Sequence, residues 1–210
     1  MGMRFNQTVW ESLPGIMGAG YMQQLLHSRA ERFTSALDAA GIPYAVCGGM
    51  AVIAWVTNAN PDYVRNTKDV DVCLRRADLA RTINAVRAHE FHFVEVNGVP
   101  MFLDGPDGTP KHAIHIVIAG ESASKWSTEP VPDIGPGVRD PAFPWARSEL
   151  GLLLTMKLIA NRTHDRVHIA DLWRAKAIDR SWIARVPEAL RDRLSEWIDT
   201  AEQEYGDSPH

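Results

Sequence analysis

The chain has 210 residues, 45% of them hydrophobic and 23% charged, and a formal net charge of -4. A chain of this length buries a core without disulfide staples, and its composition excludes a disordered, collagen-like or disulfide-rich protein. The charge balance gives no broad basic surface for non-specific nucleic-acid binding, although a local basic groove is compatible with it.

Residues 1–20 are Gly-rich with scattered Trp and Met and read as an N-terminal arm. Over residues 21–40, Leu25, Leu26, Ala30, Phe33, Ala36 and Leu37 recur at helical spacing, and Gly41 and Pro43 stop the helix. Residues 44–47 form a short apolar strand. Gly48-Gly49 follows, then a helix-compatible run over 50–56 and a polar loop over 57–67. Residues 68–74 alternate as a strand, and 78–90 are helical through Leu79, Ile83 and Val86. Residues 91–96 and 100–103 make a hairpin around Asn97-Gly98, a strong turn signal. A turn at 104–108 and a β-rich strand at 113–119 complete a core over residues 21–120. Residues 121–148 read as a long loop, with seven prolines or glycines between Pro130 and Pro144. Helical patterns at 148–161, 164–177 and 187–205 make residues 149–210 a C-terminal helical subdomain. The expected class is α+β: a mixed β-sheet core with flanking helices and that helical subdomain.

Cys47 and Cys73 each lie in an apolar run and read as buried free thiols in a reducing compartment, with a redox pair as the minor alternative. No run approaches the roughly 18 apolar residues of a membrane span. Glu11 and Pro14 interrupt the one candidate leader, so the expected setting is cytoplasmic, with no membrane partner.

The informative segment is Gly48-Gly49 followed by Arg65-Asn66-Thr67-Lys68-Asp69-Val70-Asp71-Val72. On a strand, residues i and i+2 share a face, so Asp69 and Asp71 project together while Val70, Val72 and Leu74 pack. Adjacent carboxylates on an apolar strand suffer repulsion and desolvation, and a hard cation such as Mg²⁺ or Mn²⁺ relieves both. The plain alternative is a strand end with two solvated aspartates. A Gly pair between strand and helix lets backbone N–H groups approach an anion at the helix N-terminus. Together with the Asp pair it implies a nucleoside triphosphate site, to which Arg65 and Lys68 add positive charge. Lys68 is out of phase with Asp69 on the strand.

This strand–Gly-Gly–helix element, with Arg-x-Thr-x-Asp-x-Asp on the next strand, resembles the nucleotidyltransferase superfamily of the DNA polymerase beta-like fold. Within it the chain is similar to nucleotidyltransferase-like proteins near the AbiEii-type toxins. Residues 75–79, 101–106 and 115–121, and Met156-Lys157-Leu158 with Arg162, Asp165, Arg166, His168 and Asp171, share the likeness, which spans about residues 29–200. The resemblance implies that Gly48 and Gly49 face the triphosphate, joined by Arg65 and Thr67, and that Asp69 and Asp71 hold the metal. The implied activity is metal-dependent transfer of a nucleoside monophosphate from an NTP to a hydroxyl, with release of pyrophosphate. The acceptor is an RNA, a protein or a small molecule.

Relatives of that kind carry a third carboxylate on a later strand. The matching strand here presents His115 and Val117, with Ile114, Ile116 and Ile118 on the packed face. Three readings stand. His115 serves as metal ligand or general base. Glu95, Asp104 or Glu121 substitutes. Or the protein binds nucleotide or a protein partner without transfer, as a degenerate module or a toxin–antitoxin component.

On the helix after Glu149, Lys157 shares a stripe with leucines. It either snorkels or reaches the triphosphate. His164 and His168 stand at zinc-compatible i, i+4 spacing, but the preferred reading is a structural network of Arg162, Asp165, Arg166, His168 and Asp171. Trp173, Trp182 and Trp197 read as packing anchors.

Overall fold

The computed structural model describes residues 14–63, 65–122, 127 and 129–206. The elements are α1 (Pro14–Ala39), β1 (Ala45–Cys47), α2 (Gly48–Ala59), β2 (Val70–Arg75), α3 (Leu79–Arg87), β3 (Phe91–Val96), β4 (Val99–Asp104), β5 (Ile114–Ala119), β6 (Val138–Asp140), β7 (Phe143–Arg147), α4 (Leu150–Ala160), α5 (Thr163–Arg174) and α6 (Arg191–Tyr205). The seven strands form one mixed sheet in the order β3-β4-β5-β2-β1-β7-β6. β2–β5 and β1–β7 are parallel, and the other pairs are antiparallel.

One face of the sheet is covered by α1 and α3. Phe33 packs edge-on against Phe91 with ring centroids 5.2 Å apart, and also against Phe102. Leu37, Val46, Val72 and Ile116 extend the same cluster. A second cluster joins α2 to α4, α5 and α6 through Val52, Leu153, Leu154, Ile169 and Trp197, with Trp173 and Trp182 at its margin. The tryptophans are packing anchors, as their helical setting predicts. A third, small cluster holds Cys47 and Cys73 against Val131 and Ile134. Both thiols are free. Burial pushes the Cys47 thiol well up and the Cys73 thiol up to about 12.

The expected arm over residues 1–20 falls outside the described residues as far as 13, and residues 14–20 already belong to α1. The stretch 121–148 departs from the loop reading, because β6 and β7 lie within it. Pro144 hides β7 from a sequence pattern, since proline cannot donate to a ladder. Here the pairing of β7 with β1 is confined to Val46↔Arg147, so Pro144 is not asked to donate to β1. Asp69 stands just before β2 rather than inside it. The hairpin turn is as expected, with φ of 53° at Asn97 and 78° at Gly98. No helix among the described residues is long and apolar enough to cross a membrane.

Candidate active site

The register of three strands builds the site. Cys47 is opposite Asp71 on the antiparallel β1–β2 pair, and Asp71 is opposite His115 on the parallel β2–β5 pair. Along β5 the isoleucines at 114, 116 and 118 are buried, while His115 and Val117 face a cavity of about 590 Å³. That volume lies within the range of small-molecule pockets, roughly 300–1,000 Å³. Gly48, Gly49, Thr67, Lys68, Asp69 and Asp71 line one wall. Lys157, Arg162, His164, Asp165 and His168, from α4 and α5 and the turn between them, line the other.

α2 begins directly at the cavity, with no side-chain cap on its first N–H groups from Cys47. Gly48 has φ of 61°, in the left-handed region that glycine tolerates. A Cβ there would stand 1.9 Å from Asp71 Oδ2, and a Cβ on Gly49 would stand 2.4 Å from Thr67 Oγ1. The bare Gly-Gly step therefore lets β2 and its preceding loop close onto the helix N-terminus.

The Asp71 carboxyl is 27% exposed and, among the described residues, its one ion partner is His115, at 3.8 Å. Desolvation pushes its pKa above the ordinary carboxylate value and Asp69 adds to this. Lys157, His115 and Arg162 pull the other way. No group of three or more His, Cys, Asp or Glu among the described residues is gathered closely enough to hold a metal by itself. The donor chemistry nevertheless fits a hard divalent cation. Such ions are commonly held by one or two carboxylates, with phosphate oxygens and water completing the shell. A cation bound there would relieve the penalty that burial and Asp69 impose on Asp71.

Two residues expected at the phosphates are otherwise engaged. Arg65 is outside the cavity lining. It forms an ion pair with Asp171 of α5, and Tyr63 Oη donates to the same carboxylate at 2.6 Å. A guanidinium that is only 18% exposed needs a carboxylate, and α5 supplies one. Lys157 does line the cavity, but its Nζ is buried and donates to Asp165 Oδ1 at 2.9 Å. Asp165 also accepts from Arg162 Nε at 2.7 Å. Burial works against the Asp165 anion, yet these contacts hold its pKa below the ordinary value.

The anticipated network is thus divided. Arg166 turns away to Glu196 and Asp171 serves Arg65, while Asp165 keeps Arg162 and Lys157. His168 is buried beside them, with Nδ1 lacking a hydrogen-bond partner. Burial, then the Lys157 and Arg65 charges, pull its pKa down to about 2. None of the candidate substitute acids reaches the cavity lining. Asp104 is taken by Arg29 and Arg32, and Glu121 by Arg76, while Glu95 is exposed on β3.

No protein-family model matches the chain, and no curated protein matches it. Among solved structures, the solution structure of the antibiotic-resistance factor ANT(2'')-Ia aligns with 89% of this chain and 100% of its own, at 12% identity and a TM-score of 0.52. A crystal structure of ANT(2'')-Ia in complex with adenylyl-2''-tobramycin aligns with 87% of this chain and 99% of its own, at 12% identity and a TM-score of 0.49. An antigenic nucleotidyltransferase-like protein from Paracoccidioides brasiliensis covers 90% of both chains at 16% identity and a TM-score of 0.45. The chain has a nucleotidyltransferase-like α+β fold. The likeness to the solution structure of ANT(2'')-Ia supports this.

Proposed function

We propose that the protein is a metal-dependent nucleotidyltransferase, which moves a nucleoside monophosphate from an NTP to a hydroxyl acceptor and releases pyrophosphate. The observation that carries this reading is that Asp69 and Asp71 line the same cavity as the N-terminus of α2, which has no side-chain cap, with Asp71 packed beside Gly48. The open N–H groups at Gly48 and Gly49 suit phosphate oxygens, and the helix field favours their charge. Asp69 and Asp71 would hold Mg²⁺ or Mn²⁺. When bound, that ion neutralises charge building on the transferring phosphoryl group and lowers the pKa of an attacking hydroxyl. Thr67, held through its carbonyl by Gln23 Nε2 at 2.5 Å, sets the position of the loop that carries Asp69. Lys157 supports the site electrostatically, as its pull on Asp71 indicates. The chemistry asks mainly for positioning and charge neutralisation. The acceptor is an RNA, a protein or a small molecule, and two buried free thiols suit a cytoplasmic setting.

Thermal shift with nucleoside triphosphates and Mg²⁺ or Mn²⁺ tests the binding step. A ligand at 100 times its Kd stabilises the native state by about 2.7 kcal/mol. Transfer of an α-phosphate label tests the chemistry. A metal-dependent shift that survives D71N would count against the proposal.

The cavity-facing positions of β5 favour a second reading, because His115 and Val117 supply no carboxylate there. In it the protein is a catalytically silent module that binds nucleotide or a protein partner, for example as a toxin–antitoxin component of the AbiEii kind. Label transfer by the purified wild type separates the two readings.

A further inference from the structure

Two contacts define the chemistry of His115. Its Nε2 lies 3.2 Å from the carbonyl oxygen of Pro110. A carbonyl oxygen only accepts, so Nε2 carries the hydrogen and donates it. In the neutral ring that tautomer leaves the lone pair on Nδ1, the atom 3.8 Å from Asp71 Oδ1. That separation is too long for a charge-assisted hydrogen bond, which closes to about 2.7–2.9 Å. It is near the spacing of two donors on one ion. With cation–donor distances of about 2.1 Å, neighbouring donors stand roughly 3.0–3.4 Å apart. A backbone carbonyl on the far ring nitrogen is also how metal-bound imidazoles are oriented.

Among the described residues, no lysine or arginine forms an ion pair with Asp71, although Lys157 and Arg162 act on it from a distance. Lys157 is committed to Asp165, and Val117, the next cavity-facing residue of β5, offers no donor. The strand register also holds His115 directly opposite Asp71, so closing the last few tenths of an ångström needs only side-chain rotation.

We propose that His115 Nδ1 and the Asp71 carboxylate bind the same divalent cation, and that the imidazole shifts the site's preference from Mg²⁺ toward a transition ion such as Mn²⁺. The proposal rests on the reading of the Asp69–Asp71 cleft as a cation-dependent nucleotide site. Mg²⁺ takes oxygen donors almost exclusively, whereas first-row transition ions accept imidazole readily. The position where an all-carboxylate site would place a third oxygen donor here selects among cations.

The test is pulsed EPR on the full chain, labelled with ¹⁵N-histidine and loaded with Mn²⁺ alone and with Mn²⁺ plus ATP. The expected spectrum shows coupling to one directly bound imidazole nitrogen, absent in both H115Q and H115D. Misfolding of one variant leaves the other to decide. In parallel, Mg²⁺ competition should show the wild type preferring Mn²⁺ by roughly tenfold more than H115D does, in the range of ligand-shell effects. Mn²⁺ that is bound in the wild type and lost in D71N, but shows no ¹⁵N coupling, would overturn the proposal and leave the nucleotide-site reading intact. Coupling that survives H115Q would overturn it too. If no Asp71-dependent Mn²⁺ binds with or without ATP, the cation reading of the cleft fails, and this proposal with it.

Discussion

Gly48 and Asp71 share one volume: a methyl group at position 48 would sit 1.9 Å from the Asp71 carboxylate oxygen. The aspartate reaches the helix N-terminus only because the residue there has no side chain. G48A should therefore displace Asp71 and strain a backbone at φ 61°. The expected cost is about 1–2 kcal/mol of stability, the usual penalty for a side chain in the left-handed region. Metal-dependent nucleotide binding should be lost as well. Urea unfolding and thermal shift read the two effects separately.

At position 49 the obstacle is different. The nearest atom to an added Cβ is Thr67 Oγ1, at 2.4 Å. G49A should destabilise, and T67A should relieve part of that loss. A double-mutant cycle measures the coupling. Strictly additive effects would mean that the Gly49–Thr67 contact does not matter.

Asp71 is desolvated and repelled by Asp69. Replacing it with Asn removes a buried charge at nearly constant shape. D71N should fold normally, with a Tm equal to or above that of the wild type without ligand, and should lose the metal–NTP shift. A substantially lower Tm would show that the carboxylate is a structural anchor.

The Lys157–Asp165 pair is fully enclosed, with side chains 4% and 0% exposed. Breaking one side of such a pair typically costs about 3–5 kcal/mol. K157M should fall in that range, softened where Arg162 takes up the carboxylate. K157M/D165L should recover most of the loss. Denaturant titration of the singles and the double checks it.

His168 gives a pH signature with a definite sign. Its native pKa is about 2 against an ordinary 6.5, so between these values the unfolded chain binds a proton that the native chain does not. Stability from this group is present above pH 6.5 and falls as the pH drops below it. The limiting slope is about 1.4 kcal/mol per pH unit. The Asp165 contribution is lost only at lower pH, because its native pKa is depressed below that of an ordinary carboxylate. H168Q should flatten the wild-type stability curve between pH 6 and 5. Equal slopes in the two proteins would contradict the buried neutral imidazole.

The Gly48-Gly49 step, the Asp69–Asp71 pair and the outward side of His115 were each legible locally, while their meeting at one cavity was what the family resemblance implied. Strand alternation set the outward face of β5, and the Gly pair marked a strand-to-helix step. What was not legible depended on distant partners. Arg65 is drawn to Asp171 on α5, which no spacing near residue 65 reveals. Lys157 looked like a lone cation on an apolar stripe until the chain turned at Asn161, with φ of 49°, and brought Asp165 back to it. β7 escaped because its strand pattern is short and carries a proline, and its buried Trp145 became informative only with the sheet assembled.

The placement of β7 bears on where the chain can be cut. β1 is three residues long and lies between β2 and β7, and Ser148 N–H donates to the Val46 carbonyl at 2.8 Å. A fragment ending near residue 120 would retain both aspartates and the Gly-Gly step. It would also leave β1 as a bare sheet margin, with open backbone groups ready to recruit another chain. The segment that carries β7 thus acts as a seal on that margin.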